Sequence, residues 1–193
     1  TGVSVEGITS WLSRSNDPKR KLKWSWELAQ EKQTIIGVNT HNPNKIIQEA
    51  INNHKIKTLI DYDILKREVK YGTNSKIDIL LKDARKPDCY IEVKNVHLSR
   101  TEGIAEFPDA VTTRGTKHLK ELSLVCKSGF RAIMIYLVQR NDCKFFKIAA
   151  DIDSIYAKEF KKAIKAGVEV ICIDTILNTK EITKDKKIKL LIK

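Results

Sequence analysis

Cysteine is sparse in this 193-residue chain: there are 4. Cys89, Cys126, Cys143 and Cys172 stand far apart, with no C-x-x-C and no histidine at ligand spacing, so neither a zinc module nor a disulfide framework is signalled. Cys89 and Cys172 fall in strand-like runs and Cys126 shares a helical stretch with Leu122 and Val125, which reads as core thiols. Long apolar runs are missing too. The longest, Ala132 to Val138, is far too short to span a bilayer, and the first residues have no signal-peptide pattern. The expectation is a soluble, cytoplasmic protein without membrane contact. The chain opens at Thr1 rather than Met, so residues upstream stay an open matter. There is no internal repeat, no low-complexity segment beyond the lysine-rich end, and no pattern suggesting a sugar pocket.

Acidic residues are outnumbered, 24 against 36 basic, for a net charge of +12. In a small protein such an excess points to a polyanion, with nucleic acid first, because lysine and arginine make the first phosphate contacts. Lysine and isoleucine enrichment from an AT-rich genome or from growth at high temperature is the competing explanation. Hydrophobic residues make up 41% of the chain, enough for one packed domain and a small appendage.

Residues 1–40 read as part of a small β-rich unit, with strand-like SWLS, WSWELAQ and TIIGVNT around the basic stretch NDPKRKLKW. Asn42 before Pro43 predicts a helix start, and Ile46, Ile47, Ala50 and Ile51 share a face of a helix over 43–54. ILKREVKY, KIDILLKD and CYIEVKNVHL, separated by GTNS and ARKPD, predict an antiparallel meander. A loop with Gly103, Pro108 and Asp109 precedes a helix marked by Leu119, Leu122, Val125 and Cys126 and stopped at Gly129. RAIMIYLVQR predicts a strand buried on both faces, and CKFFKIA a short one. Asp153 caps a last helix ending at Gly167, followed by the strand VEVICIDTI; TKDKKIKLLIK reads as a solvated edge strand. The order is α, three β, α, β, with further β, α and β.

Alternation in CYIEVKNVHL places Glu92 and Lys94 on one face and Ile91 and Val93 on the other. Asp78 interrupts the run Ile77, Ile79, Leu80, Leu81, where a charge must be paired, solvated or metal-bound. Two carboxylates that could hold Mg²⁺ or Mn²⁺ and a cation that could steady charge on phosphorus are the parts needed to hydrolyse a phosphodiester. An aspartate in the second strand and Glu-x-Lys in the third, with helices before and after, resembles the PD-(D/E)xK nuclease superfamily. Glu-x-Lys recurs at Glu68 to Lys70, and on an exposed strand such a pair is a solvated neighbour pair of little energy. Pro87-Asp88, four residues before Glu92, reads as turn chemistry.

Longer blocks carry a narrower likeness. NDPKRKLKWSWELAQ, IGVNTHNPNKIIQEAI, REVKYGTNSKIDILL, KPDCYIEVKNVHL, FPDAVTTRGTKHLKEL, VQRNDCKFF and GVEV resemble the sugar fermentation stimulation protein A family, almost end to end. The resemblance implies an α/β fold in which a PD-(D/E)xK nuclease-like domain, here 41–193, follows the remnant of an OB-like β-barrel, here 1–40. It also implies DNA binding and a link to sugar utilisation. The superfamily's metal pair falls on Asp78 and Glu92 and its catalytic lysine on Lys94. Glu49 on the first helix is the matching third acid, with Glu68 as competitor and an exposed helix glutamate as the plain alternative. Asp109 reads as a loop or capping residue.

Arg114, Lys117 and His118 open the second helix, where cations and free N–H groups can grip phosphate. Lys19, Arg20, Lys21 and Lys23 interleave with Trp24 and Trp26, which suits phosphate contact plus base stacking, although core tryptophans explain the same letters. The expected function is a DNA-binding, Mg²⁺- or Mn²⁺-dependent phosphodiesterase. The alternatives are a non-catalytic DNA-binding regulator of sugar (maltose-type) metabolism genes and, third, a protein-binding module. Oligomeric state is not indicated.

Overall fold

A computed structural model describes residues 3, 6–72 and 75–191. Residues 1, 2, 4 and 5, the middle of the predicted GTNS turn and the last two residues of the lysine-rich end lie outside the described residues.

The N-terminal segment forms an antiparallel sheet of β1 (Thr9–Arg14), β2 (Trp24–Glu31) and β3 (Thr34–Gly37). β3 is fastened to the remainder of the chain, since the Gly37 N–H donates to the Gln139 carbonyl at 2.9 Å and Ile36 pairs with Arg140. Glycine lets the chain pass close to Gln139 here: a Cβ on residue 37 would stand 2.6 Å from Gln139 Oε1, and that side chain would have to shift. Helix α1 (Asn42–Asn52) buries Ile46, Ile47, Ala50 and Ile51, the face that the spacing predicts. Its start differs: the helix begins after His41 without a side-chain cap, and the Asn42 amide donates to Glu27 at 2.9 Å instead.

β4 (Ile64–Tyr71), β5 (Ser75–Asp83) and β6 (Lys86–Val96) form the expected meander. The turn between β5 and β6 is tighter than ARKPD suggests. The Asp83 carboxylate accepts both the backbone N–H and the guanidinium of Arg85, closing the chain at once and pairing Asp83 with Lys86. Pro87 and Asp88 therefore lie in β6, not in a turn, and Asp88 meets Lys82 across the strands at 2.7 Å.

Next come β7 (Leu98–Thr101), β8 (Ile104–Phe107), α2 (Thr113–Lys127), β9 (Arg131–Val138) and β10 (Phe145–Ile148). They are followed by α3 (Ser154–Lys165), β11 (Glu169–Leu177), β12 (Ile182–Lys187) and β13 (Lys189–Leu191). The central sheet runs β12-β11-β9-β6-β5-β4, parallel across β11-β9-β6 and antiparallel outside. α1 covers one face, α2 and α3 the other. Strand β9 is buried on both: Ile133, Ile135 and Leu137 pack with α1, while Met134, Tyr136 and Val138 pack with Leu119, Leu122, Tyr156 and Phe160. Asp153 caps α3 through the Tyr156 N–H at 2.8 Å and also accepts the Thr112 N–H, tying the starts of α3 and α2 together.

A second sheet, β13-β10-β8-β7, gathers the expected short strand in CKFFKIA with part of the expected edge strand at the lysine-rich end and with residues expected to form a loop. Residues expected to form a loop fold back as the β7-β8 hairpin, which buries Glu106 against Arg100 at 2.8 Å and Lys147 at 3.1 Å. The lysine-rich end splits: β12 edges the central sheet, and β13 runs parallel to β10. Cys89, Cys143 and Cys172 are buried, and burial pushes the thiols of Cys89 and Cys172 up to about 12. No helix among the described residues is long and apolar enough to cross a membrane.

Candidate functional site

Where Asp78 sits, alternation fails in two neighbouring strands at once. Leu65, Ile79 and Leu81 pack with the α1 face, whereas Val69, Tyr71 and Ile77 pack with the α2 face. With a period of two, residues 65 and 69 would share a side, as would 77 and 79. Both strands turn over between them, at Glu68 and Asp78, where the β4-β5 pairing skips a step. Glu68 takes a left-handed backbone, φ 52°, which costs a side-chain-bearing residue about 1–3 kcal/mol. The β5-β6 ladder also stops short of Asp78, at Ile79 and Ile91.

The Asp78 carboxylate fills that gap. Its Oδ2 accepts the backbone N–H of Val93 at 2.8 Å, and its Oδ1 accepts Nδ2 of Asn44, in the first turn of α1, at 2.9 Å. Burial, and after it the charge of Glu92, raises the Asp78 pKa, with the two hydrogen bonds and Lys94 opposing. The charge in the apolar run is thus held by one amide of the sheet and one of the helix.

Glu92 and Lys94 project together toward α2, as alternation requires. Glu92 is 2% exposed. Its Oε1 accepts Lys94 Nζ at 2.6 Å and also meets His118 Nδ1; Lys94 Nζ lies 3.1 Å from that same nitrogen. Burial alone would raise the Glu92 pKa, but His118 and Lys94 together outweigh it and the net shift is downward. Glu92 Oε2 is buried with no hydrogen-bond partner among the described residues. A buried carboxylate oxygen without a donor fits a cation, so the donor set suits a hard divalent ion. Among the described residues, no three His, Cys, Asp or Glu side chains close around one point.

The other residues singled out by sequence scatter. Glu49 is exposed on the β12 side of α1, lining a cleft with Asn178, Lys180 and Glu181; Asn44 and Gln48, reaching Asp78 and Arg67, are the α1 residues facing β4 and β5. Glu68 is exposed at the strand crossover. Asp109 lies 3.5 Å from His97 Nε2 in the loop before α2. Arg114 and Lys117 are exposed, but His118 is buried on Glu92 and Lys94 rather than offered to solvent. Arg114 Nε, 3.5 Å from His118 Nε2, extends the line outward.

Lys19, Arg20, Lys21 and Lys23 are exposed between β1 and β2. Arg20 donates to Ser25 Oγ, and Lys23 to the carbonyls of Asp17 and Pro18, which fixes the loop. The two tryptophans divide: Trp24 is 57% exposed, whereas Trp26 is half-buried with Nε1 donating to the Leu28 carbonyl. Sequence reasoning missed Asn44, whose signal is its place in the first turn of α1, and the inward role of His118. It also missed Glu121, three residues after His118 and so on the same helix face.

The helix, three-stranded meander, helix and parallel strand around Asp78, Glu92 and Lys94 make this an α/β protein with a PD-(D/E)xK nuclease-like core. Comparison with known families agrees: the sugar fermentation stimulation protein RE domain matches residues 41–181, and the N-terminal OB domain of the same family matches residues 1–38. The chain belongs to the sugar fermentation stimulation protein family. It is 52% identical over 171 residues to the sugar fermentation stimulation protein homolog of Paramagnetospirillum magneticum, covering 89% of this chain and 72% of that protein. It is 48% identical over 189 residues to the homolog of Rhodospirillum centenum, covering 98% and 81%. Among solved structures, SfsA of Pyrococcus furiosus in complex with Ca²⁺ has the same fold, with a TM-score of 0.91 at 23% identity over 99% of this chain and 81% of that one.

Proposed function

We propose that the protein binds DNA and hydrolyses its phosphodiester backbone with a divalent cation, Mg²⁺ or Mn²⁺, held at Glu92 and Asp78. The observation that carries this reading is the pairing of a buried, donor-free Glu92 Oε2 with a lysine ammonium fixed on the other oxygen of the same carboxylate. The calcium complex of the Pyrococcus furiosus relative supports a divalent ion. A bound ion would supply positive charge for the phosphate oxygens and the attacking water.

The remaining tasks fall to side chains. Glu92 Oε1 orients Lys94, whose ammonium has further donors for a phosphate oxygen as charge builds on phosphorus. His118 holds that carboxylate from α2, and Asp78 fixes β5 to β6 beside it. The exposed Arg114 and Lys117, with the β1-β2 loop, would carry the DNA backbone.

The test is cleavage of linear and single-stranded DNA with Mg²⁺ or Mn²⁺. Cutting should occur, stop in chelator, and be lost in Asp78→Asn and Lys94→Met while DNA binding remains. No cutting of any substrate with either metal would sink the reading. A second reading, a non-catalytic DNA-binding regulator of sugar (maltose-type) metabolism genes, is favoured by the occupation of Glu92 Oε1 by both Lys94 and His118. Undiminished, salt-dependent DNA binding in chelator, without cutting, is its signature.

A further inference from the structure

Beside the site lie three buried carboxylate oxygens with no donor among the described residues: Glu92 Oε2 and both oxygens of Glu121. Glu121 belongs to α2, one turn beyond His118, and is 6% exposed. The hydroxyl of Tyr71, at the end of β4, is likewise buried without a partner. These groups are neighbours. The Tyr71 phenol is pushed up by burial first, then by the charges of Glu92, Glu121 and Asp78, and last by the approach of its hydroxyl to the Glu121 carboxylate. Glu121 lies over Gly72, since a Cβ on Gly72 would stand 2.8 Å from its Oε1. The Lys117 ammonium is 3.7 Å from Oε1, beyond hydrogen-bond distance, and about half of its side chain is exposed.

Donors and acceptors do not balance here. Among the described residues Tyr71 can give one proton and Lys117 stands at ion-pair distance from one Glu121 oxygen, against three carboxylate oxygens that accept no hydrogen bond. Asp78 differs, since both of its oxygens already hold an amide. Such a concentration of unpaired oxygen inside a protein calls for a cation, and carboxylate plus neutral oxygen is the donor set of a hard divalent ion. Two carboxylates also leave coordination positions for water and phosphate, as nucleotide-handling sites require.

We infer that Glu121 is a cation ligand: α2, not α1, supplies the further carboxylate, and the divalent ion held at Glu92 and Asp78 is also bound by Glu121, with the Tyr71 hydroxyl beside it. The inference rests on the metal-dependent reading above and deepens it. It accounts for Glu49 facing a different cleft and for the close approach of Gly72 to α2.

Calcium binding to the full chain, measured by calorimetry after chelator treatment and without nucleic acid, tests it. The unaltered chain should take up Ca²⁺, Glu121→Gln should weaken uptake roughly tenfold or more, and Glu49→Gln should leave it unchanged. Wild-type affinity in Glu121→Gln, or no uptake by the unaltered chain, overturns the inference. Glu92→Gln should lose calcium under either ligand assignment. Loss in Glu92→Gln with full retention in Glu121→Gln therefore sinks the Glu121 site alone, whereas DNA cleavage that persists in chelator sinks the metal-dependent reading alone. Should Glu121→Gln fail to fold, terbium decides. Terbium bound beside Tyr71 should luminesce on excitation of tyrosine, and Tyr71→Phe should lose most of that emission; unchanged emission overturns the inference.

Discussion

Asp78 Oδ2 accepts the backbone N–H of Val93 at 2.8 Å, so the first carboxylate of the site also joins β5 to β6 where their ladder has stopped. Removing the side chain would therefore disturb the fold as well as the chemistry. Asp78→Ala leaves the Val93 N–H buried and unmatched, and urea denaturation should show a loss of about 1–3 kcal/mol. Asp78→Asn keeps an acceptor there and should stay close to wild-type stability while losing cleavage. Equal destabilisation by both variants would show that the bond contributes nothing.

Lys94 and His118 share one oxygen of Glu92 but should separate in assays. Lys94→Met is expected to cut the cleavage rate by about 10²-fold or more with DNA affinity retained, the loss typical of one donor aimed at developing charge. His118→Ala takes a partner from a buried carboxylate and should lower stability by about 1–3 kcal/mol as well. Thermal denaturation of the two variants beside single-turnover cleavage distinguishes them.

The two carboxylates predict opposite pH trends. Glu92 has a lowered pKa in the fold, so its contribution is present above its unfolded value, about 4.3, and is lost as pH falls below it. Asp78 has a raised pKa, so its contribution is full below its unfolded value, about 3.9, and is lost as pH rises through the folded value. Urea denaturation from acid to neutral pH should therefore show Glu92→Gln falling further behind wild type as pH rises, and Asp78→Asn gaining on it. A parallel course for both variants would contradict these environments.

Glu68 marks the crossover by its left-handed backbone, φ 52°. Glu68→Gly should hold or raise stability, because glycine adopts this conformation freely, and Glu68→Val should lower it by about 1–3 kcal/mol. If the valine variant melted with wild type, the strand crossover would not be strained.

The β1-β2 loop should reveal itself through salt. If Lys19 and Lys21 each neutralise a phosphate, replacing both with Gln should lower the slope of log affinity against log salt on duplex DNA by about 0.9 for each contact. Trp24→Ala should weaken single-strand binding more than duplex binding, because the exposed ring can stack on unpaired bases only. An unaltered slope would remove this loop from the DNA path.

Much of the architecture was legible in periodicity alone. The apolar face of α1, the meander, the doubly buried β9 and the Asp153 cap are local patterns, set by which residues recur at two or at 3.6 and by one side chain reaching a nearby N–H. Glu92 and Lys94 were readable as a pair for the same reason: two residues apart on a strand, they must point one way. Other features depend on partners distant in sequence. β7, β8 and β13 carry weak strand signals; β8 and β13 become strands because β10 offers them edges, and β7 because β8 then pairs with it, while Glu106 is buried because Arg100 and Lys147 meet it there. By itself the sequence determined which residues could do phosphate chemistry, because side-chain type and strand parity are written residue by residue. Only the tertiary structure decided how they are held. The turnover at Glu68 and Asp78 and the descent of His118 onto Glu92 arise where strand and helix meet, between residues no local pattern connects.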